Sequence, residues 1–437
     1  MRILIIGGGV TGLFAGHELS GRAHHVTVVE RDAVPGGLAS GFPVNGATLE
    51  RFYHHFFAGH TALFSLLGEL GLAGDLVWRR ARMGFYHGGT LYPFETPLDL
   101  LKFRPLPFLS RVRLGAASLL MKRIKDWRAI ESESALSFLR RTTGNEACRV
   151  IWEPLLRMKF GGQSESVSAA WIWNRIADRR RSSKGMRGET LGYLRGGLQR
   201  ICDAAAQSIV RRGGDVRLGC GVQQLIIENG SCRGAVAGGA RIEADAVICT
   251  LPSSQLVRLA PGLPSEYVHA LGAIDYQGSL CCVLSLRRRL TDYYWINISS
   301  ATIPFVGLIE HTNFMPPEEY GGQHLIYLAK YLERDDPYYT MPEQEIADRF
   351  MQSLAAMFPG FDRTRDLNRT WLFRAPNTQP VFKVGYSRIM PEIPTPIRGL
   401  FLANTTQIYP ESRALNSSVV LARRVADTVG GPRDTVS

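Results

Sequence analysis

The first thirty residues, MRILIIGGGVTGLFAGHELSGRAHHVTVVE, constrain this chain more than any other stretch. Residues 2–6 form a short unbroken apolar run, the pattern of a parallel strand buried on both faces. Gly7, Gly9 and Gly12 then supply G-x-G-x-x-G, residues 13–19 have helical composition, and residues 24–30 read as a second strand closing on Glu30. Each part has a physical task. Gly7 permits the tight turn, Gly9 lets the backbone approach a pyrophosphate, and Gly12 allows the helix to pack closely on the strand. The helix N-terminus faces the phosphate charge. Glu30, 18 residues past Gly12, can accept hydrogen bonds from ribose hydroxyls, and an acid there disfavours a 2′-phosphate. Val10, Thr11 and Arg31 join this candidate dinucleotide-binding set.

A second glycine element, Pro35-Gly36-Gly37-Leu38-Ala39-Ser40, follows the second strand directly. It resembles the double-glycine motif of the FAD-dependent amine oxidase, protoporphyrinogen oxidase and phytoene desaturase superfamily. Adjacent glycines there let the backbone lie along the flavin's ribityl and pyrophosphate portion, which places Gly36, Gly37 and Leu38 in the site. Residues 190–252 resemble the superfamily's second FAD-domain segment, with Tyr193, Gly196, Gly197, Val222 and Thr250-Leu251-Pro252 at the matching positions. Residues 398–427 resemble its last segment, a strand at 399–403 followed by a helix at 417–426. The superfamily carries an acid after that strand, in contact with the flavin's phosphoribityl chain, where this sequence has Asn404. The next helix points its N-terminus at the flavin pyrimidine, which brings in Asn416 and Ser417.

The resemblance implies an α/β chain with a discontinuous Rossmann-like, GR2-type FAD-binding domain and a second α+β substrate domain. The expected boundaries are 1–85, 190–265 and 396–437 for the FAD domain and 86–189 and 266–395 for the substrate domain. The implied cofactor is noncovalent FAD.

Length agrees with more than one core, since 437 residues suggest about two to three domains. An apolar fraction of 45% and a charged fraction of 21% exclude a wholly disordered chain or a small disulfide framework. Lys and Arg number 51 against 39 for Asp and Glu, a net charge of +12 that asks for an anionic partner. Much of the excess lies in residues 102–128, with eight basic residues, Lys122, Arg123 and Lys125 among them, and one acid. Six more basic residues fall between Arg175 and Arg187. Each stretch reads either as an amphipathic helix in a membrane interface or as a solvated face. Neither has the aromatic interleaving of a single-strand groove, so nucleic acid is not an expected partner. Seven cysteines without a CxxC pair suggest a reduced compartment. No signal peptide and no 18-residue apolar run are read, so the expectation is a cytoplasmic protein, either free or attached to a membrane surface. Oligomeric state has no sequence signal.

Three positions stand out as candidate catalytic groups. His54 and His55 sit in Arg51-Phe52-Tyr53-His54-His55-Phe56-Phe57, which resembles a His-containing loop of UDP-galactopyranose mutases in the same superfamily. Cys282, in the run 278–289, falls where amine oxidases carry a lysine near flavin N5 when the strands are aligned by their Gly-Ser start. Lys159, Arg374 and Tyr409 are weaker candidates. Metal binding is not expected beside the histidines, which lack carboxylate or Cys partners at ligand spacing. The resemblance implies hydride removal from a C–N or C–C unit of a small or prenyl-type substrate. A mutase-like reaction on a nucleotide sugar or glycolipid intermediate, without net redox, is the alternative, and a flavin-bearing assembly protein is a third reading.

Overall fold

The computed structural model describes residues 1–183 and 188–431; Lys184 and Arg187, counted in the second basic cluster, lie outside the described residues. Its organising element is a five-stranded, all-parallel sheet in the order Leu400–Leu402, Ala246–Cys249, Arg2–Ile6, His25–Val29 and Asp215–Arg217. Leu4, Ile5, Val26, Val28, Val247 and Ile248 are fully buried, which explains why these strands are apolar without alternation. The helix Val10–Ser20 packs between the helices Gln199–Arg211 and Leu415–Gly430 on one face. An antiparallel three-stranded sheet, Val222–Glu228, Ser231–Ala237 and Ala240–Glu243, closes the other.

The second architecture is a seven-stranded mixed sheet. Its order is Leu367–Pro380, Tyr276–Leu286, His324–Leu332, Gly307–Glu310, Trp295–Ser299, Met83–His87 and Thr90–Pro93. One face packs on the helix Glu343–Met357 through Leu280, Leu284, Ile326, Leu328, Phe350 and Leu354. The opposite face, bearing Cys281, Val283, Tyr327 and Ala329, joins the large core that runs into the parallel sheet. Helices between residues 97 and 182 cover one end, and all seven cysteines are free thiols.

The 102–128 stretch is less helical than its pattern suggests. Helix covers Lys102, the last residue of Pro97–Lys102, and Phe108–Leu120, and Met121–Arg123 and Trp127–Ile130 are 3₁₀ turns. Arg111 donates to the carbonyls of Leu101 and Leu106, and Arg113 to that of Arg141, so part of the basic face caps backbone. Among the described residues no helix is long and apolar enough to cross a membrane.

Candidate active site

A cavity of about 890 Å³ opens between the two sheets. Its floor is the glycine turn. Gly7, at φ +105°, sits where an added Cβ would meet Thr250 Oγ1 at 2.4 Å, so the turn admits no side chain. Thr250 Oγ1 itself donates to the carbonyls of Ile6 and Gly7 at 2.9 and 3.2 Å, fastening this turn to the strand Ala246–Cys249. The double-glycine segment is tied in by the Gly36 amide, which donates to Gly8 O at 2.7 Å. Glu30 accepts from the amides of Gly8 and Asp32 at 2.7 and 2.9 Å, which holds its carboxylate at the cavity edge.

Gly7, Gly9, Val10, Thr11, Glu30, Arg31, Gly36, Gly37, Leu38, Val222, Thr250 and Asn404 all line this cavity, together with His54 and Arg374. Arg51, Arg258 and Arg413, which the sequence does not single out, add cations to the same wall.

Several expected site residues stand elsewhere. Gly12 lines no part of the cavity; its Cβ would lie 2.0 Å from Gly7 O, so it serves helix–strand packing. Asn416 turns away to accept from the Leu63 amide at 3.1 Å, and Ser417 Oγ donates to Glu411 at 2.6 Å. The helix meets the cavity through Leu415 and Ser418 instead. Cys282 is excluded by the pleat. It sits with Leu280 and Leu284 on the face covered by the helix Glu343–Met357, while Cys281 points to the core on the cavity side. Burial pushes the Cys282 thiol up to about 12, as expected of an inert core thiol. Tyr409 packs away from both cavities, its hydroxyl 2.8 Å from Ser168 Oγ.

Adjoining the first cavity is a smaller chamber of about 90 Å³, hereafter the inner chamber, and His54, Arg413, Ala414 and Leu415 line both. His55, Lys159, Arg175, Arg179, Tyr331 and Gln379 line the chamber alone. Five separate segments of chain deliver these groups, and only the alternation of HLIYLAKYL, which puts Tyr327, Ala329 and Tyr331 on one face, hints at Tyr331. Burial and the Arg413 guanidinium lower His54 to about 4, and its Nδ1 donates to Phe52 O at 2.6 Å. Burial and Arg179 lower His55 as well, so both imidazoles are neutral at pH 7.

Asn404 is the residue standing where the superfamily has an acid, and its side chain is wholly committed to the fold. Its Oδ1 accepts from Thr406 N and Oγ1 at 2.9 and 2.7 Å, and its Nδ2 donates to Leu251 O at 2.8 Å. Asn404→Asp keeps the acceptor but sets a carboxylate against the Leu251 carbonyl. A stability loss of about 1–3 kcal/mol is expected in urea unfolding, and an unchanged midpoint would refute the donor role.

A parallel sheet whose first strand feeds a glycine turn into a dinucleotide-sized cavity, capped by a second mixed sheet, defines a dinucleotide-binding protein. The chain belongs to the flavin containing amine oxidoreductase family, which it matches over residues 10–429. It is similar to the zeta-carotene desaturase of Zea mays, 22% identical with 99% of this chain and 84% of that protein covered. Human protoporphyrinogen oxidase is 28% identical over 62% of this chain and 64% of its own length. Among solved structures, reduced UDP-galactopyranose mutase superposes with a TM-score of 0.77 at 16% identity, covering 99% and 96% of the two chains. The protein is an FAD-dependent oxidoreductase. The cavity fits that cofactor: the side-chain-free turn at Gly7 to Gly9, the Glu30 carboxylate and the arginine-rich wall suit a diphosphate joined to a ribose.

Proposed function

We propose that this enzyme oxidises a C–N or C–C unit of a small-molecule or prenyl-type substrate held in the inner chamber. Bound FAD, noncovalent in this reading, supplies the hydride acceptor. The observation that carries the proposal is the chamber itself, which shares His54 and Arg413 with the larger cavity and is walled by Tyr53, Phe57, Trp295 and Tyr331. Gly7, Gly9, Glu30, Gly36, Gly37, Val222 and Thr250 would hold the dinucleotide. The His54 ring, neutral and oriented by its bond to Phe52 O, would separate the two compartments and keep water from the reacting carbon. Residues 1–85, 190–265 and 396–437 would form the cofactor domain, and the rest the substrate domain. Anaerobic bleaching of the flavin by one member of a panel of amines, prenyl lipids and nucleotide sugars is the expected result. A panel that leaves the flavin yellow throughout, with FAD bound, overturns substrate oxidation by these classes.

The arginines of the chamber support a second reading, non-redox chemistry on a nucleotide sugar. Formation of a two-electron-oxidised product in step with reductant would eliminate it.

Peripheral membrane contact is proposed through residues 98–120. Seven of the fourteen large apolar side chains exposed among the described residues lie there, Leu109 at 79% and Phe108 at 62% being the most open. Lys102, Arg104 and Arg123 are exposed beside them. F108S/L109S should reduce binding to anionic vesicles at least tenfold in a flotation assay while leaving flavin content unchanged. Equal flotation of variant and wild type refutes the contact.

A further inference from the structure

The inner chamber is lined mainly by positive charge. Lys159, Arg175, Arg179 and Arg413 face it against a single carboxylate, Asp178. That carboxylate is already engaged, accepting from Arg181 at 2.9 Å and from Asn174 at 3.4 Å. Buried cations are ordinarily matched by anions, because removing a charge from water costs several kcal/mol unless a partner compensates. Here the matching is incomplete. Arg175 Nη1 reaches only a neutral acceptor, Ser412 Oγ, at 3.3 Å. Lys159 Nζ lies over the Tyr331 ring, 3.5 Å from its centroid.

Two further donors are left over. Arg413 Nη1 is buried without a hydrogen-bond partner. Gln379, only 4% exposed, lines the chamber with its Nε2 equally buried and unpartnered. Buried N–H groups without acceptors are rare, and these two occur together in one small compartment whose remaining excess is also in donors.

We propose that the inner chamber binds an oxyanion, a carboxylate or phosphate borne by the substrate, with Arg175, Arg413, Lys159 and the Gln379 amide as its donors. This rests on the reading of the chamber as the substrate compartment. Planar guanidinium groups suit either oxyanion, and about 90 Å³ accommodates such a head group while the remainder of the molecule extends past His54. Tyr331 reports the same field. Burial alone would raise its phenol, yet Lys159, Arg175 and Arg413 outweigh burial and bring it down to about 7. A neutral hydrocarbon in this place would leave the guanidinium groups and the amide desolvated and unmatched. The chamber therefore selects against the wholly apolar substrates that the apolar rim alone would admit.

The test uses oxidised holoenzyme, so that no turnover is required. Inorganic phosphate, hexanoate and hexanol are titrated calorimetrically into wild type, Arg175→Gln and Gln379→Glu, each with its flavin content measured. Expected is binding of at least one anion to wild type, binding of hexanol at least tenfold weaker, and a loss of anion affinity of tenfold or more in both variants. Stronger binding of phosphate or of hexanoate identifies which head group the chamber takes. Absence of binding by both anions, or unchanged affinity in flavin-replete variants, overturns the proposal. Gln379→Glu replaces one donor by an acid of nearly equal volume, so it keeps the test decisive if Arg175→Gln does not fold. Anion binding by an enzyme whose flavin no substrate bleaches would leave this site standing while removing the oxidation reaction, so the two failures are distinguishable.

Discussion

Gly9→Ala and Gly12→Ala, two substitutions three residues apart, are expected to fail in different ways. At Gly12 an added methyl group would stand 2.0 Å from the carbonyl oxygen of Gly7 and 3.2 Å from Ile5 Cγ2. Neither backbone can yield without lifting the helix from its strand, so a loss of about 3 kcal/mol is expected, together with loss of flavin. At Gly9 the backbone is ordinary, with φ −71° and ψ 173°, and no atom lies within 4 Å of the added Cβ. The apoprotein should keep its stability to within about 0.5 kcal/mol. The methyl group would project where the glycine backbone has to approach the diphosphate, so FAD should bind at least tenfold more weakly, about 1.4 kcal/mol. Thermal melting of the apoproteins and a fluorescence titration with FAD separate the two effects. Wild-type FAD affinity in Gly9→Ala would remove the glycine turn from the cofactor site, and wild-type melting of Gly12→Ala would refute the close packing.

Mild acid should destabilise the fold through its buried histidines. His60 and His311 are buried, and burial depresses them to about 4 and about 3, with Arg181 adding to the effect at His60. The unfolded chain regains the ordinary value near 6.5, so between these limits it binds protons that the folded chain refuses. The contribution is complete above about pH 6.5 and is lost as pH falls toward 4 and then 3. At about 1.4 kcal/mol per unit, each histidine accounts for about 3–5 kcal/mol by the lower limit. His54, also near 4, adds to the slope. Urea unfolding followed from pH 7 to pH 4 should therefore show a steep fall in midpoint, and His60→Gln should flatten it. A midpoint constant across that range would contradict the buried neutral histidines.

The cofactor half of the molecule was legible because its signal is local. Strand, Gly7, Gly9, Gly12, helix and Glu30 are contiguous, and contiguous geometry is what spacing encodes. The residues around the smaller chamber were not. Aligning the strand Tyr276–Leu286 by its Gly-Ser start chose Cys282, but a bulge between Gln277 and Ser279 shifts register at that very start. A slip of one residue exchanges the two faces of a strand, and Cys282 belongs to the face turned from the cavity. Asn416 and Ser417 were misplaced for a related reason: the helix starts at Leu415, which rotates Ser418 rather than its neighbours toward the cavity. Lys159, Arg175, Tyr331, Gln379 and Arg413 share no spacing at all. In the sequence Lys159 is only a weaker candidate and Arg175 only the first residue of a basic cluster.

The order of the parallel sheet also sets a timetable for biosynthesis. Ile6 pairs with Cys249, and Cys249 in turn with Leu402, so neighbours in the sheet are made at widely separated moments of translation. Once Ala246–Cys249 has docked, its outer edge stays open until Leu400–Leu402 emerges, and an open edge invites pairing with the wrong strand. Asn404, Thr405, Arg413 and Ser418, which finish the cavity wall, arrive only then. The cofactor pocket is therefore closed only after residues 400–418 have been released, and a nascent chain stalled before Leu400 would carry the complete glycine turn and still be unable to retain flavin.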